Sequence, residues 1–222
     1  MKILVVGADA LGSQLTHTLY RAGNDVTLLA RGKRLAELQA NGLVICHYVQ
    51  MKTTIDPINL TDHFGPEDAY DLVFVVMQCQ QLDEFLPVLC ANTGTTNFVL
   101  VGNNGTADKT DVYIREHSRV ERHVVFGFQG SGGRRENGRV KSVHIGFSTD
   151  SGSMTLGGLN GDSTLYPLLE KVFKHTHYRL SLCADMDTWL KCHAAFILPI
   201  VFACYYSNDD LRKVSRKLGH AE

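Results

Sequence analysis

The 222-residue chain carries 22 Lys and Arg against 23 Asp and Glu, a formal net charge of −1, and is 44% hydrophobic, the make-up of an ordinary soluble globular protein. That balance excludes an electrostatic case for binding nucleic acid or an anionic membrane. Its six cysteines (Cys46, Cys79, Cys90, Cys183, Cys192 and Cys204) are scattered without a C-x-x-C, which argues against a metal or redox pair and for a reducing, cytoplasmic setting.

Ile3–Val6 is a short, continuous, branched apolar run, as expected of a parallel strand buried on both faces. A strand starting at residue 3 leaves no room for a signal peptide. Gly7-Ala8-Asp9-Ala10-Leu11-Gly12 then turns the chain. Leu11, Leu15, Leu19 and Ala22 recur at helical spacing, Gly23-Asn24 ends that helix, and Asp25–Ala30 reads as a second strand. Strand, glycine turn, helix and strand in about 30 residues form a dinucleotide-binding βαβ unit, with a helix N-terminus placed to receive a pyrophosphate. The turn departs from G-x-G-x-x-G at one point. Asp9 stands where a glycine lets the backbone approach the phosphates, and it brings a negative charge.

Lys33–Asn41 is expected to be helical and to stop at Gly42, with Leu43–His47 and Met51–Ile55 as a hairpin-like excursion. Asp71–Met77 is a third buried strand, Gln80–Cys90 a helix behind it, and Asn97–Val101 a strand ending in Gly102-Asn103-Asn104-Gly105. Beyond Arg122, Val124–Phe128, Arg139–Ile145, Ser153–Leu156 and Tyr178–Leu182 read as short strands, and Ser163–Lys174 as a helix. These strands are expected to extend the same sheet. From Ala184 the character turns helical, through Ala184–Tyr206 and a polar Asn208–Leu218. Within it Ala194–Tyr206 is a thirteen-residue apolar run broken by Pro199, too short for a membrane span and better suited to a buried core or interface. The expected architecture is therefore α/β, a Rossmann-like, doubly wound, mostly parallel sheet over residues 1–182, followed over residues 183–222 by the start of an all-α second domain.

Three features bear on chemistry. The second strand ends in Ala30-Arg31-Gly32-Lys33-Arg34, with no carboxylate for ribose hydroxyls, which favours the 2′-phosphate of NADP with Arg31 as its ligand. The competing explanation is a solvated basic helix start, although cations there oppose the helix dipole. Asn104 lies at the carboxyl end of a strand, where an amide could orient a nicotinamide ribose or a substrate oxygen, or could simply make an N-G turn. Lys191, beside Trp189 in an apolar helix, could lose pKa to desolvation and donate a proton, or could reach to solvent. His193, two residues on, faces away and reads as structural. No metal-ligand cluster stands out.

With these segments on view, the chain resembles the ketopantoate reductase family. MKILVVGADALGSQL with AGNDVTLLAR is similar to its amino-terminal signature, DLVFVVMQCQQ to its third strand, GRVKSVHIGFS with LGGL to its late strands, and WLKCHAAFILPI to the start of its helical domain. The resemblance implies hydride transfer from NADPH to the keto carbon of a 2-keto acid, 2-dehydropantoate becoming pantoate for pantothenate synthesis. It implies Lys191 and Asn104 as catalytic residues, Asn104 also beside the nicotinamide, and Gly7, Ala8, Asp9, Ala10, Leu11, Gly12, Arg31 and Gln78 around the cofactor. Gln78 stands where the family usually has a lysine, and Ala195 and Pro199 where it has asparagines. Measured against the family, the sequence also ends before the rest of a helical domain that supplies a serine and a glutamate. A second reading, a nucleotide-binding or oligomerising module without turnover, follows from those departures. In either case the 186–206 helix is expected to mediate homo-oligomerisation, with no nucleic acid or membrane as partner.

Overall fold

The computed structural model describes residues 1–144 and 146–207. In chain order the first half comprises β1 (Lys2–Val6), α1 (Ala10–Arg21), β2 (Asp25–Leu29), α2 (Gly32–Asn41), β3 (Leu43–His47), β4 (Lys52–Asp56), β5 (Asn59–Thr61), β6 (Leu72–Val76), α3 (Cys79–Ala91) and β7 (Asn97–Val101). The second half comprises α4 (Ala107–His117), β8 (His123–Gln129), β9 (Gly132–Glu136), β10 (Arg139–Val143), β11 (Gly152–Gly157), α5 (Tyr166–Phe173), β12 (Tyr178–Leu182) and α6 (Met186–Tyr206). The helix expected over 208–218 lies outside the described residues.

The main sheet has eight strands in the order β12-β11-β8-β7-β6-β1-β2-β5. From β5 to β8 every pairing is parallel; β11 runs antiparallel to β8, and β12 parallel to β11. Alternate residues of the strands feed two cores, as a period of two requires. Ile3, Val5, Phe74 and Val99 face α1, α2 and α5, whereas Leu4, Val6, Val73 and Phe98 face α3 and α4. The chain builds one side of the sheet from β1 to β2 and then crosses back to β6. The order therefore reverses between β1 and β6, the crevice where open α/β sheets hold ligands.

One expectation is corrected here. Residues 139–143 do not extend the main sheet; they form β10 of a separate four-stranded sheet, order β4-β3-β10-β9. This sheet covers α1, with Leu43, Ile45 and Val140 joining Leu15 and Leu19 in one core. Strand β9 was not expected, yet Asn137-Gly138, both at positive φ, makes the tight turn that pairs it with β10.

Helix α6 also differs from expectation. Its 21 residues fall within the expected 184–206 helix, yet only Met186 and Leu190 are buried. Phe196, Leu198, Ile200, Val201, Phe202 and Tyr205 are exposed. By length and composition the helix could cross a bilayer, a test that core helices of soluble proteins also pass. Within the described residues it is not a buried core helix; it presents a bare apolar face of the kind that marks interfaces.

Between α1 and the small sheet lies a buried polar cluster. His17 Nδ1 meets Asp56 Oδ2 at 2.5 Å, and Arg21 Nε meets Asp56 Oδ1 at 2.9 Å. The rings of His17 and His47 lie 5.0 Å apart, and those of His47 and His144 5.6 Å apart. His47 Nε2 is 2.9 Å from Thr54 Oγ1. Burial first, then the neighbouring His17 and His144, push the His47 pKa down from the ordinary 6.5 to about 4, against the opposing pull of Asp56.

The sign of the consequence follows. The unfolded chain takes up a proton at His47 near pH 6.5, and the folded chain does so only near pH 4. Stability is therefore retained above pH 6.5 and lost as pH falls to 4, by an amount on the order of 3 kcal/mol. Urea unfolding from pH 7 to pH 4 should show this slope, and His47→Gln should flatten it. An unchanged slope in the variant would assign the acid sensitivity elsewhere.

Candidate cofactor and active site

Three backbones meet at the reversal point. A β-carbon on Gly7, which sits at φ +111°, would lie 2.1 Å from the carbonyl oxygen of Val76 at the end of β6. One on Gly12 would lie 1.8 Å from the carbonyl oxygen of Gly7. Only glycine permits this approach, which brings the first turn of α1 (Ala10, Leu11, Gly12) against the ends of β1 and β6. Asp9 holds the N-cap position of α1 but makes no side-chain cap hydrogen bond. Its carboxylate is 82% exposed and turns instead to Arg135 of β9, with Oδ1 3.4 Å from Nε. The irregular residue of the motif is thus accommodated sterically, and its charge is partly offset from the second sheet.

Beside this turn is a cavity of about 210 Å³ lined by Val6, Gly7, Ala8, Asp9, Leu29, Ala30, Arg31, Arg34, Met77 and Arg135. The expected residues Gly7, Ala8, Asp9 and Arg31 therefore come together. Arg34 does not belong to a solvated helix start, the alternative that sequence alone allowed. It is buried, donating from Nε to the Ala8 carbonyl at 3.0 Å, from one terminal nitrogen to the Gly138 carbonyl at 2.8 Å, and from the other to Ser13 Oγ at 3.3 Å. It thereby ties the glycine turn to the tip of the β9–β10 hairpin. Burial, then the charge of Arg135, lowers its pKa. Arg135 is not singled out by the sequence; its one signal there is the N-G turn between two short runs.

These residues fit a dinucleotide: glycines where a β-carbon would collide, a free-facing helix N-terminus and a guanidinium-lined pocket at the end of β2. They would hold the adenosine and phosphate end. Among the described residues no group of three or more His, Cys, Asp or Glu is placed to hold a metal ion.

At the other end the side chains are placed differently from expectation. Gln78 is exposed at the N-cap of α3, with its backbone N–H 3.3 Å from Gln81 Oε1, and does not line the cavity. Asn104 is buried and its amide is spent on the loop: Nδ2 donates to Thr110 Oγ1 at 3.1 Å, and Oδ1 accepts from the Thr106 backbone at 3.1 Å. It stabilises the start of α4, while Asn103 is exposed beside it. Lys191 is exposed, and Nζ contacts Asp187 Oδ2 at 2.6 Å. That hydrogen bond raises its pKa, with Asp108 of α4 adding to the effect; of the two alternatives, the side chain reaches solvent and the desolvation-driven fall does not occur. His193 packs as expected of a structural residue, stacked at 7° on Trp189 and 4.0 Å from the Phe128 ring.

Residues 3–161 match the family model described as Ketopantoate reductase PanE/ApbA. The chain belongs to that family. A Bacillus subtilis (strain 168) protein named uncharacterized oxidoreductase YkpB is 34% identical over 86 residues, covering 39% of this chain and 27% of that protein. Among solved structures, 2-dehydropantoate 2-reductase from Methylococcus capsulatus aligns at TM-score 0.67 and 18% identity, over 86% of this chain and 59% of its own. The probable 2-dehydropantoate 2-reductase panE from Bacillus subtilis aligns at 0.66 and 17%, over 84% and 59%. D-mandelate dehydrogenase in a ternary structure with NADH and anilino(oxo)acetate aligns at 0.64 and 20%, over 82% and 57%. These likenesses establish a shared fold, and the chain spans less than two thirds of each structure. The ketopantoate reductase fold thus accounts for the reversal point and the helix that follows β12.

The crowding at Gly12 is open to test. Gly12→Ala should lose about 2–3 kcal/mol in chemical unfolding, because the colliding atom is backbone and cannot swing aside. Gly105→Ala meets nothing within 4 Å and should stay within about 0.5 kcal/mol of the parent. Equal stability of the two variants would refute the close approach.

Proposed function

We propose that this chain is the cofactor-binding portion of an NADPH-dependent reductase of 2-keto acids, with 2-dehydropantoate as the first substrate to test. The observation that carries the reading is the arginine-lined cavity at the reversal point, fed by a glycine turn whose two glycines have no steric room for another residue. Membership of the ketopantoate reductase family supports the reaction class. The absence of a carboxylate at the end of β2, with Arg31 in the cavity wall, supports the 2′-phosphate form of the cofactor.

The cofactor, when bound, supplies the hydride. What remains for the chain is to bind, to orient and to hold a proton. Lys191 suits the holding of that proton. Asp187 keeps its ammonium charged, so it can hydrogen-bond and stabilise a keto oxygen as that oxygen gains negative charge. The charge of Asp108, in the first turn of α4, acts on Lys191 as well, and Asn104 anchors the start of that helix. Asn104 then acts by positioning the loop at the end of β7. A second reading, nucleotide binding without turnover, is favoured by one observation: the Asp9 carboxylate stands at the turn that faces the phosphates.

The two readings separate in one assay. The first predicts NADPH oxidation by 2-keto acids, a Lys191→Met variant at least about 100-fold slower, and NADPH affinity unchanged by that substitution. Binding without oxidation for any 2-keto acid supports the second reading, and loss of NADPH binding in Lys191→Met would contradict the assigned role.

A further inference from the structure

Arg135 reaches the cofactor cavity from outside the nucleotide-binding unit. It lies on β9 of the small sheet, about a hundred residues beyond Arg31, and the two line the same 210 Å³ space with Arg34. Its present partners are loose: Asp9 at 3.4 Å and Glu37 at 3.5 Å. Three other ion pairs are tighter, Lys191–Asp187 and Lys141–Glu136 at 2.6 Å and Arg115–Asp111 at 2.7 Å, while Arg134–Glu136 at 3.4 Å is similarly loose. Contacts beyond the 2.7–2.9 Å of a charge-assisted hydrogen bond leave a guanidinium under-committed. It also shares the rim with a second guanidinium. Arg34 is buried and donates three hydrogen bonds, and the like charge of Arg135 lowers its pKa although Glu37 already lies within 3.7 Å of both, so a further anion at this rim would be favoured.

The position of Arg135 is fixed by the fold. Arg34 grips the Gly138 carbonyl, and Glu37 of α2 lies 3.7 Å from Arg34 and 3.5 Å from Arg135. The hairpin tip is therefore fastened to the start of α2, where a 2′-phosphate would be read.

We infer that Arg135 is a specificity-determining residue for this site, a second guanidinium that pairs with Arg31 to bind the 2′-phosphate of the cofactor. Asp9 and Glu37 hold it in place until the phosphate takes over one of its faces. This rests on the cofactor reading above. Asp9 is thereby given a use: a carboxylate that would repel phosphate if alone instead keeps a cation beside the phosphate site.

The test is calorimetric titration of the full chain with NADPH, NADH and 2′,5′-ADP, using wild type, Arg135→Gln and Arg135→Lys. The glutamine variant should bind NADPH and 2′,5′-ADP at least tenfold more weakly, with NADH affinity changed less than twofold. The lysine variant, which keeps the charge and loses the fork, should fall between and controls for folding. Equal weakening of NADPH and NADH overturns the inference, because Arg135 would then only neutralise Asp9. An unchanged NADPH-to-NADH ratio in both variants overturns it as well. Wild type that binds none of the three ligands overturns the cofactor reading itself, an outcome distinct from either.

Discussion

The carboxyl edge of the sheet depends on the meeting of Gly7, Gly12 and Val76 with no side chain between them. With the ends of β1 and β6 side by side, the N-terminus of α1 lies directly over the crevice between them. A methyl group at either glycine would push the helix away and close the space. The buried strands behind this point supply the rigidity, with Phe74, Ile3 and Leu4 among the largest fully buried side chains. The small sheet adds a second constraint by covering α1 and carrying its own charges to the rim of the same crevice.

Much of this was legible in the sequence, and for a physical reason. A parallel strand buried on both faces must be continuously apolar, so β1, β6 and β7 announced themselves, and glycine at fixed offsets between strand and helix identified the turn. Strand partnership was not legible. Residues 139–143 alternate exposed and buried, a pattern that fits the edge of either sheet, and only pairing with β3 and β9 decides which. Helix α4 was hidden for a similar reason. Among its apolar side chains only Ala107 and Ile114 are buried, too few to draw a stripe.

The site was legible unevenly. The glycine turn and Arg31 stand out because backbone geometry and strand ends leave marks in sequence. Asn104 stands out for its position, but its amide is spent on the loop, since an N-G pair carries the same letters whether it serves a turn or a ligand. Arg135 reads as one charge in an exposed strand, and nothing local links it to Asp9, far earlier in the chain. For Lys191 the residue was legible and its environment was not. Asp187, one helical turn before it, sets the direction of its pKa, which apolar neighbours alone left open.

A cradle built this way would engage a dinucleotide through backbone N–H groups at the start of α1. Amide hydrogen exchange of the full chain, with and without saturating NADPH, measures them directly. Protection should concentrate in residues 8–13 at the start of α1 and 30–35 at the end of β2, leaving β4 unchanged. No protection in residues 8–13, or protection confined to other elements, would contradict the assignment of this turn as the cofactor cradle.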